Sequence, residues 1–300
     1  MHLDVINTAQ DLQQPIAQLD SCCTGDSHNK SLHALTPLIR LALGPGAARF
    51  AVGDRVYGRM PLAKIGAFAE YAAVSEVALA HVPGYLSDEE AACVPLTALT
   101  ALQSLELMGA KAGDSIFISG GTGSLGAMAV PIATGMGLEV ATNGNGASEE
   151  RMRSLGATTF VDYRKQDYAE VLHDVDHVLD TLGDRELGKE FSVLRSGGTL
   201  VSLRGMPNGE FARRSGFPAW KRLAFGMVGR KYDKMAARRG QRYCFVFVHE
   251  DGAGLEKLPG ILGDRRIEAS VDTVFSLEEV NAAMAKVAAG GSRGKTVLRI

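Results

Sequence analysis

Short apolar runs alternate with helical runs along the chain from Ser115 onwards, and this alternation is the strongest pattern in the sequence. Six of the apolar runs have the length and the β-branched or aromatic content of buried strands: Ser115–Ser119, Glu139–Thr142, Thr159–Val161, His177–Asp180, Thr199–Leu203 and Tyr243–Val248. The sequence between them predicts helices near Ser124–Gly135, Ser148–Leu155, Tyr168–Leu172 and Leu187–Leu194, with a turn over Arg195–Gly198. Such an alternation is typical of a doubly wound parallel sheet, so we expect an α/β fold.

The chain on either side of this region predicts further elements. Before it, strands are expected at Arg55–Tyr57, Gly66–Val74 and Ala78–Val82, a helix from Ser87–Glu90 that is interrupted at Pro95, and a second helix over Leu96–Leu107. After it, the pattern predicts a helix over Leu255–Leu262, a strand over Ala269–Val274, a helix over Leu277–Ala289 opened by Ser276, and a strand over Thr296–Ile300. Residues 1–42 show neither period clearly, and a helix near Leu32–Leu43 is the one element that we predict there.

A glycine-rich loop follows the first of the six predicted strands and precedes a predicted helix. Gly121, Gly123 and Gly126 have the Gly-x-Gly-x-x-Gly spacing of dinucleotide-binding turns. In such turns the first glycine allows a tight turn, the second lets the backbone approach a pyrophosphate, and the third lets helix and strand pack closely. The N–H groups and the dipole at the helix start then bind the phosphates. The loop therefore predicts dinucleotide binding, and the alternative is a glycine-rich turn without a ligand.

Composition and charge narrow the function classes. The length of 300 residues favours two domains, and a net charge of −2 gives no indication of a nucleic-acid partner. The four cysteines have neither zinc-ligand nor disulfide-framework spacing, so we predict no metal and a reducing, cytoplasmic location. There is no signal-peptide pattern and no apolar run of about 18 residues, so we predict no membrane span.

Residues 211–242 differ from the rest of the chain, because ten Lys or Arg residues there accompany a single acid, Asp233. Aromatic residues are interleaved with these charges: Phe211, Phe217, Trp220, Phe225 and Tyr232. Three interpretations stay open. The segment can be a solvated helical insert, a lid or dimer contact beside a ligand cleft, or a patch that binds a membrane surface or a polyanion.

Several stretches, in this order, resemble the medium-chain dehydrogenase/reductase superfamily in its zinc-independent, quinone-oxidoreductase-like branch. They read GPGAARFAVGDRVYG, GAFAEYAAVSEVALAHVP, DEEAACVPLTALTALQSL, AGDSIFISGGTGSLGAMAVPIA, SLGATTFVDYRKQDY, VLDTLGD, LRSGGTLVSLRG and SRGKTVL. The resemblance runs from about Leu43 to Ile300. It implies a Rossmann NADP-binding domain over 96–268, inserted into a GroES-like catalytic β-barrel domain formed by 43–95 and 269–300.

The resemblance also implies NADPH-dependent transfer of hydride to a quinone or an α,β-unsaturated carbonyl compound without a metal. Relatives of this type are commonly dimers, so a homodimer is expected. The sequence supports NADP(H), because the second strand of the six ends in Thr142–Asn145 with no acid, and a carboxylate there would repel a 2′-phosphate. Matching motifs imply cofactor contacts from Thr100, Gly121, Gly123, Ser124, Leu125, Gly126, Asn143, Asn145, Arg151, Tyr163, Thr181, Gly183, Ser202, Phe245, Phe247, Arg293 and Lys295.

Other interpretations of these residues stay open. Arg151 can instead be an exposed helix residue that pairs with Glu149 or Glu150, and each of the others can be a core or surface residue. No catalytic residue is assigned. Tyr57 lies in the right neighbourhood for a proton donor, but it can equally be a residue of the barrel.

Residues 1–42 are an unassigned leader that matches no part of the family pattern. We therefore expect a barrel without its first strands, as a shifted reading frame or an altered gene start would produce. NADPH binding is then expected to survive better than turnover, since the Rossmann strands are all present. Two alternatives to the enzyme follow: an NADPH-binding protein with little or no turnover, acting as a sensor or structural partner, or a truncated, inactive family member.

Overall fold

The computed structural model describes residues 32–33, 38–39, 48–61, 68–69, 71–290 and 294–300. This part of the chain divides into two compact units. The first contains the described residues up to Cys93 together with Asp251–Ala253 and Ala269–Ile300. The second contains Val94–Glu250 and Gly254–Glu268. The domain bounds expected from the sequence, 43–95 with 269–300 and 96–268, stay a prediction.

The strands of the described residues, in chain order, are β1 Leu32–His33, β2 Leu38–Ile39, β3 Arg55–Gly58, β4 Leu79–His81, β5 Ser115–Ile118, β6 Glu139–Gly144, β7 Thr159–Asp162, β8 Val175–Asp180, β9 Leu194–Ser202, β10 Arg242–Phe245, β11 Val271–Ser276 and β12 Lys295–Arg299. The helices are α1 Asp88–Ala92, α2 Pro95–Met108, α3 Gly126–Gly135, α4 Glu149–Ser154, α5 Tyr168–Val171, α6 Asp184–Val193, α7 Gly209–Arg214, α8 Ala219–Ala237, α9 Gly252–Leu262 and α10 Val280–Ala289. None of these helices is both long enough and apolar enough to cross a membrane.

Six strands of the second unit form one parallel sheet in the order β10-β9-β8-β5-β6-β7. The predicted doubly wound sheet is confirmed, with strand ends shifted from those expected. The strand order reverses at β5, because β6 lies on one side of it and β8 on the other. In open α/β sheets a ligand binds outside the carboxyl ends of the strands at this reversal. The fold therefore predicts a ligand site at the loop that follows β5.

The core of this sheet is centred on Phe117 in the middle of β5. Its side chain is fully buried, and its ring centroid lies 4.7 Å from that of Tyr168 on α5. Val178, Leu200 and Phe191 belong to the same buried cluster. Because helices cover a parallel sheet, its strands are apolar without interruption, which is why the short runs identified them correctly.

The start of β9 differs from the prediction. A turn was expected over Arg195–Gly198, but the strand begins at Leu194. The pairing with β8 moves from Val175–Leu194 to His177–Thr199, so the extra residues form an irregularity inside the strand. Gly197 takes a φ of 78° there, which a glycine adopts without strain. The sixth strand also differs in its bounds: β10 ends at Phe245, whereas the sequence predicted a strand that ends at Val248.

The first unit contains two three-stranded sheets among the described residues, with the orders β1-β12-β11 and β2-β3-β4. The helix expected near Leu32–Leu43 is wrong where the chain is described, because β1 pairs with β12 and β2 pairs with β3. The strand expected over Gly66–Val74 is also wrong at 68–69 and 71–74, since these residues are irregular and both edges of β3 are already paired. The remaining positions of both predictions lie outside the described residues.

The helix starts of the first unit follow the sequence signals. Ser87 forms a reciprocal capping box with Glu90 at the start of α1, as the acidic run predicted. Ser276 forms the same motif with Glu279 before α10. In the second unit, Pro95 begins α2 and does not merely interrupt the preceding helix, and Gly109 ends α2 with a φ of 71°.

Candidate functional site

The loop from β5 to α3 makes a tight turn at the reversal of the sheet. Gly120 adopts a φ of 67°, and its N–H donates to Oδ1 of Asn143 at 2.7 Å. A Cβ on Gly121 would lie 1.8 Å from Oγ1 of Thr142, and one on Gly126 would lie 2.3 Å from Cα of Gly121. The turn role expected of Gly121 therefore belongs to Gly120, whereas the close packing expected of Gly126 is confirmed.

The same loop presents a set of unused backbone donors. The N–H groups of Thr122, Ser124 and Leu125 have no acceptor within the described part of the chain. They lie at the start of α3, where the helix dipole favours negative charge. The first N–H groups of a helix have no partner within it, so these three donors could bind a ligand with several anionic oxygens.

The end of β6 forms the next part of the site. Asn143 holds the turn through its side-chain oxygen, and a Cβ on Gly144 would lie 2.2 Å from Cγ2 of Thr122. Asn145 caps the following 3₁₀ turn by accepting from the N–H of Ala147 at 3.2 Å. Tyr163 is 57% exposed and remains beside this strand end, since its N–H donates to the carbonyl of Gly144 at 3.2 Å. The structure thus brings these predicted residues to one edge of the sheet.

Basic side chains surround this strand end. Nε of Arg151 lies 3.9 Å from the carboxylate of Glu268, which is far along the sequence from the predicted alternatives Glu149 and Glu150. The role of Arg151 stays a prediction. Arg153 makes the pair with Glu149, at 2.9 Å. Asp162, which ends β7, is mostly buried and lies 3.7 Å from Nζ of Lys165. An ion pair therefore lies at the end of β7, directly before Tyr163.

The ends of β8 and β9 are held together by Asp180, which sequence reasoning missed. Its buried carboxylate accepts from Oγ of Ser202 at 2.5 Å and from the N–H groups of Leu182 and Gly183 at 2.8 and 2.7 Å. Ser202 has no exposed surface, and its hydroxyl holds the two strand ends together. Its contact with a cofactor stays a prediction. Thr181 has a similar bracing role, donating from Oγ1 to the carbonyl of Ser119 at 2.7 Å.

Glu190 on α6 is a second buried carboxyl group that the sequence pattern did not reveal. Its side chain has no exposed surface, and neither of its oxygens has a hydrogen-bond partner among the described residues. Burial raises the pKa of Glu190 well above its usual range, and the charge of Asp180 raises it further. Burial also raises the pKa of Asp180, although its hydrogen bonds oppose this effect.

We expect the free energy of unfolding to fall as the pH rises above the ordinary carboxyl pKa, because Glu190 holds its proton more tightly in the folded chain than in the unfolded chain. Glu190→Gln should reduce this dependence and stabilise the protein at neutral pH. The measurement is urea unfolding across a pH series. Glu139→Gln, at an exposed position, is the matched control and should leave the profile unchanged. An unaltered profile for Glu190→Gln would contradict the assignment.

The other predicted site residues lie in several environments. Oγ1 of Thr100 donates to the carbonyl of Leu96 within α2 at 2.7 Å. The ring of Phe245 packs edge-on against Phe211 at 5.2 Å between centroids, whereas Phe247 is 52% exposed. Arg293 lies outside the described residues.

Lys295 is buried in the first unit. Its amino group donates to the carbonyl of Cys93, and burial lowers the pKa of the ammonium to about 8. We therefore leave Lys295 out of the proposed phosphate site. Tyr57 is also buried in the first unit, with 3% of its surface exposed.

The sequence of this chain is similar to those of known dehydrogenases and reductases. Residues 155–298 match a family described as zinc-binding dehydrogenase. The chain is 30% identical over 261 residues to a mitochondrial NAD(P)H oxidoreductase of Danio rerio, and the match covers 84% of this chain and 67% of that protein. The chain belongs to the medium-chain dehydrogenase/reductase superfamily.

Two further proteins are similar to this medium-chain dehydrogenase/reductase. It is 35% identical over 161 residues to 2-methylene-furan-3-one reductase of Solanum lycopersicum, over 51% of this chain and 41% of that one. It is 28% identical to a quinone oxidoreductase of Thermus thermophilus, whose structures include a complex with NADPH. That match has a TM-score of 0.61 and covers 83% of this chain and 77% of the other. These similarities place the chain among oxidoreductases with a nicotinamide cofactor.

The matching family is described as zinc-binding, whereas the sequence of this chain predicts no metal. Within the part of the chain that the structure describes, no group of three or more His, Cys, Asp or Glu side chains could hold a metal ion. Cys93 and Cys244 are both buried, and neither forms a disulfide among the described residues. The absence of a metal from the reaction stays a prediction from the ligand pattern of the sequence.

Proposed function

We propose that this superfamily member is an oxidoreductase that binds NADPH and reduces a quinone or an α,β-unsaturated carbonyl compound without a metal. The observation that carries the proposal is the turn after β5, with three unused N–H groups and glycines at which a Cβ would clash. The backbone donors of Thr122, Ser124 and Leu125 would hold the pyrophosphate, and the dipole of α3 would add to their effect. When bound, NADPH would supply the hydride.

The choice of NADPH over NADH rests on the end of β6. No acid occurs in Thr142–Asn145, and Arg151 lies in the first turn of α4 with a side chain that is 41% exposed. Tyr163 is exposed beside the same strand end. Arg151 would exchange its contact with Glu268 for the 2′-phosphate, and Tyr163 would pack against that end of the cofactor. A guanidinium can form two parallel hydrogen bonds with a phosphate, so it suits this role.

The substrate class rests on the relatives. The proteins of Solanum lycopersicum and Thermus thermophilus are, by name, an enone-type reductase and a quinone oxidoreductase. Both kinds of substrate accept a hydride at an activated carbon or a quinone oxygen and then a proton, so one active site can serve either. Cytoplasmic location stays a prediction, because the relative of Danio rerio is mitochondrial by name. A homodimer stays a prediction as well.

The first test is thermal unfolding of the whole chain with NADPH and, separately, with NADH. A ligand that binds only the folded state at a hundred times its Kd stabilises that state by about 2.7 kcal/mol. We expect a clear rise of the midpoint with NADPH and a much smaller one with NADH. Turnover with quinones and enones then separates an enzyme from a protein that only binds the cofactor. No shift with either nucleotide would contradict the proposal.

Arg151→Gln should weaken NADPH binding by about tenfold or more and leave NADH binding nearly unchanged, because a charge-assisted hydrogen bond to the 2′-phosphate is lost. The measurement is the Kd of each nucleotide by fluorescence titration. Arg153→Gln is the matched control, since Arg153 lies on the same helix but is held by Glu149. An equal loss for both nucleotides, or an equal loss in the control, would remove Arg151 from the phosphate site.

A further inference from the structure

We propose that the exposed face of α8 docks onto an anionic phospholipid bilayer. Trp220, Leu223 and Met227 on this helix are 67%, 68% and 64% exposed. They are spaced by three and four residues, so they lie on one side of the helix. Large apolar side chains are seldom this exposed in a contiguous stripe unless the stripe contacts something.

The same side of α8 becomes basic towards its end. Lys231, Lys234 and Arg238 continue the stripe by helical spacing, and all three are exposed. Within the described part of the chain, no carboxylate lies within salt-bridge distance of Lys234 or Arg238. Nζ of Lys231 lies 3.8 Å from Asp184. The charges of Lys234 and Arg238 are therefore the ones available to an anionic partner.

The opposite side of α8 fixes the helix to its own unit. Gly229, Tyr232 and Ala236 are buried, and the ring of Tyr232 stacks on Tyr243 at 5.1 Å between centroids. Nδ2 of Asn208 donates to Asp233 at 2.7 Å. Because this side is packed, the exposed stripe has a fixed orientation and does not turn inward.

A bilayer surface fits both halves of the stripe. Tryptophan, leucine and methionine side chains enter the boundary between headgroups and acyl chains, while Lys and Arg on the same element contact anionic headgroups. Nζ of Lys221 lies 5.3 Å from the ring centroid of Trp220, so a cation accompanies the apolar half as well. The cofactor site plays no part in this argument, so the docking surface stands or falls independently of the proposed function.

A second copy of the chain fits the stripe less well. A two-fold interface places the same patch on both sides, so the basic halves would approach each other or would need acids that this patch lacks. Residues 211–242 contain ten Lys or Arg and one acid. Self-association through this face would therefore bring like charges together, whereas anionic headgroups neutralise them.

The test uses the intrinsic fluorescence of the whole chain, because Trp220 is its single tryptophan. Vesicles of phosphatidylcholine alone are compared with vesicles that also contain about one third phosphatidylserine. We expect a blue shift of the emission and co-sedimentation with the anionic vesicles, both reversed by high salt. No shift, or equal binding to both kinds of vesicle, would overturn the proposal.

The double variant Lys234→Gln with Arg238→Gln should lower the vesicle partition coefficient about fivefold for each charge removed. Lys257→Gln with Arg265→Gln removes the same charge from exposed positions of the same unit and is the matched control. Loss of binding in both pairs would mean a general charge effect and contradict docking through α8. Emission that shifts with protein concentration alone, together with a dimer in light scattering, would show that a second copy covers the stripe, which also overturns the proposal.

Discussion

Gly121→Ala is expected to weaken NADPH binding by about tenfold or more and to lower the free energy of unfolding by about 1–3 kcal/mol. The added Cβ would lie 1.8 Å from Oγ1 of Thr142 and 2.8 Å from its Cβ. Thr142 has little room to move, since it is fully buried and its Oγ1 donates to the carbonyl of Ile118 at 2.7 Å. The loop must shift instead, and with it the N–H groups that would hold the pyrophosphate.

The measurements are a nucleotide titration and urea unfolding of the same preparation. Gly260→Ala adds the same methyl group at a helical glycine where a Cβ meets nothing within 4 Å. That control should be neutral or stabilise the protein by about 0.4–1 kcal/mol. If Gly121→Ala bound NADPH normally, the close packing of the turn would not matter for the ligand, and the proposed site would be wrong.

Phe117→Ala is expected to lower the free energy of unfolding by about 3–5 kcal/mol, the largest effect on stability that we predict. Phe117 is fully buried on the central strand of the sheet and packs against Tyr168. Its removal leaves a cavity that the flanking strands cannot close, because they are fixed by their ladders. The denaturant midpoint should fall while the NADPH affinity of the folded fraction stays the same, since a side chain with no exposed surface touches no ligand.

Tyr71→Ala is the control for an aromatic side chain that is 64% exposed, and its effect should stay within about 0.5 kcal/mol. A small effect of Phe117→Ala would mean that the sheet is not the main core of this unit. Taken with Gly121→Ala, the pair separates loss of the site from loss of the fold, because Gly121→Ala should lower affinity as well as stability, whereas Phe117→Ala should lower stability alone.

The sequence predicted the parallel sheet well because its strands are buried on both faces and therefore have short apolar runs. It failed where pairing partners decide the structure. The Leu32–His33 and Leu38–Ile39 strands have no period of their own, and they are strands only because β12 and β3 offer edges. The irregularity at Arg195–Gly198 likewise depends on the register with β8.

The site was predictable to the extent that it depends on glycine. The spacing of Gly121 and Gly126 identified the turn, but only the backbone showed that Gly120 takes the left-handed conformation. Asp180 and Glu190 gave no signal, since a carboxylate near a strand end or on a helix is usually solvated. The burial of these two carboxyl groups depends on the elements that pack around them, and the local sequence pattern does not show it.

The two units differ in how far apart their paired strands lie along the chain, and this has a consequence for the order of folding. In the six-stranded sheet each strand pairs with others of the continuous stretch from β5 to β10. In the first unit, Leu32 pairs with Thr296, which closes a loop of about 260 residues, and loops of that size slow folding. During synthesis β11 and β12 also emerge from the ribosome after all six strands of the parallel sheet. We therefore expect the parallel sheet to form first and to serve as an early, protease-resistant intermediate, with the first unit completed only after β12 has emerged.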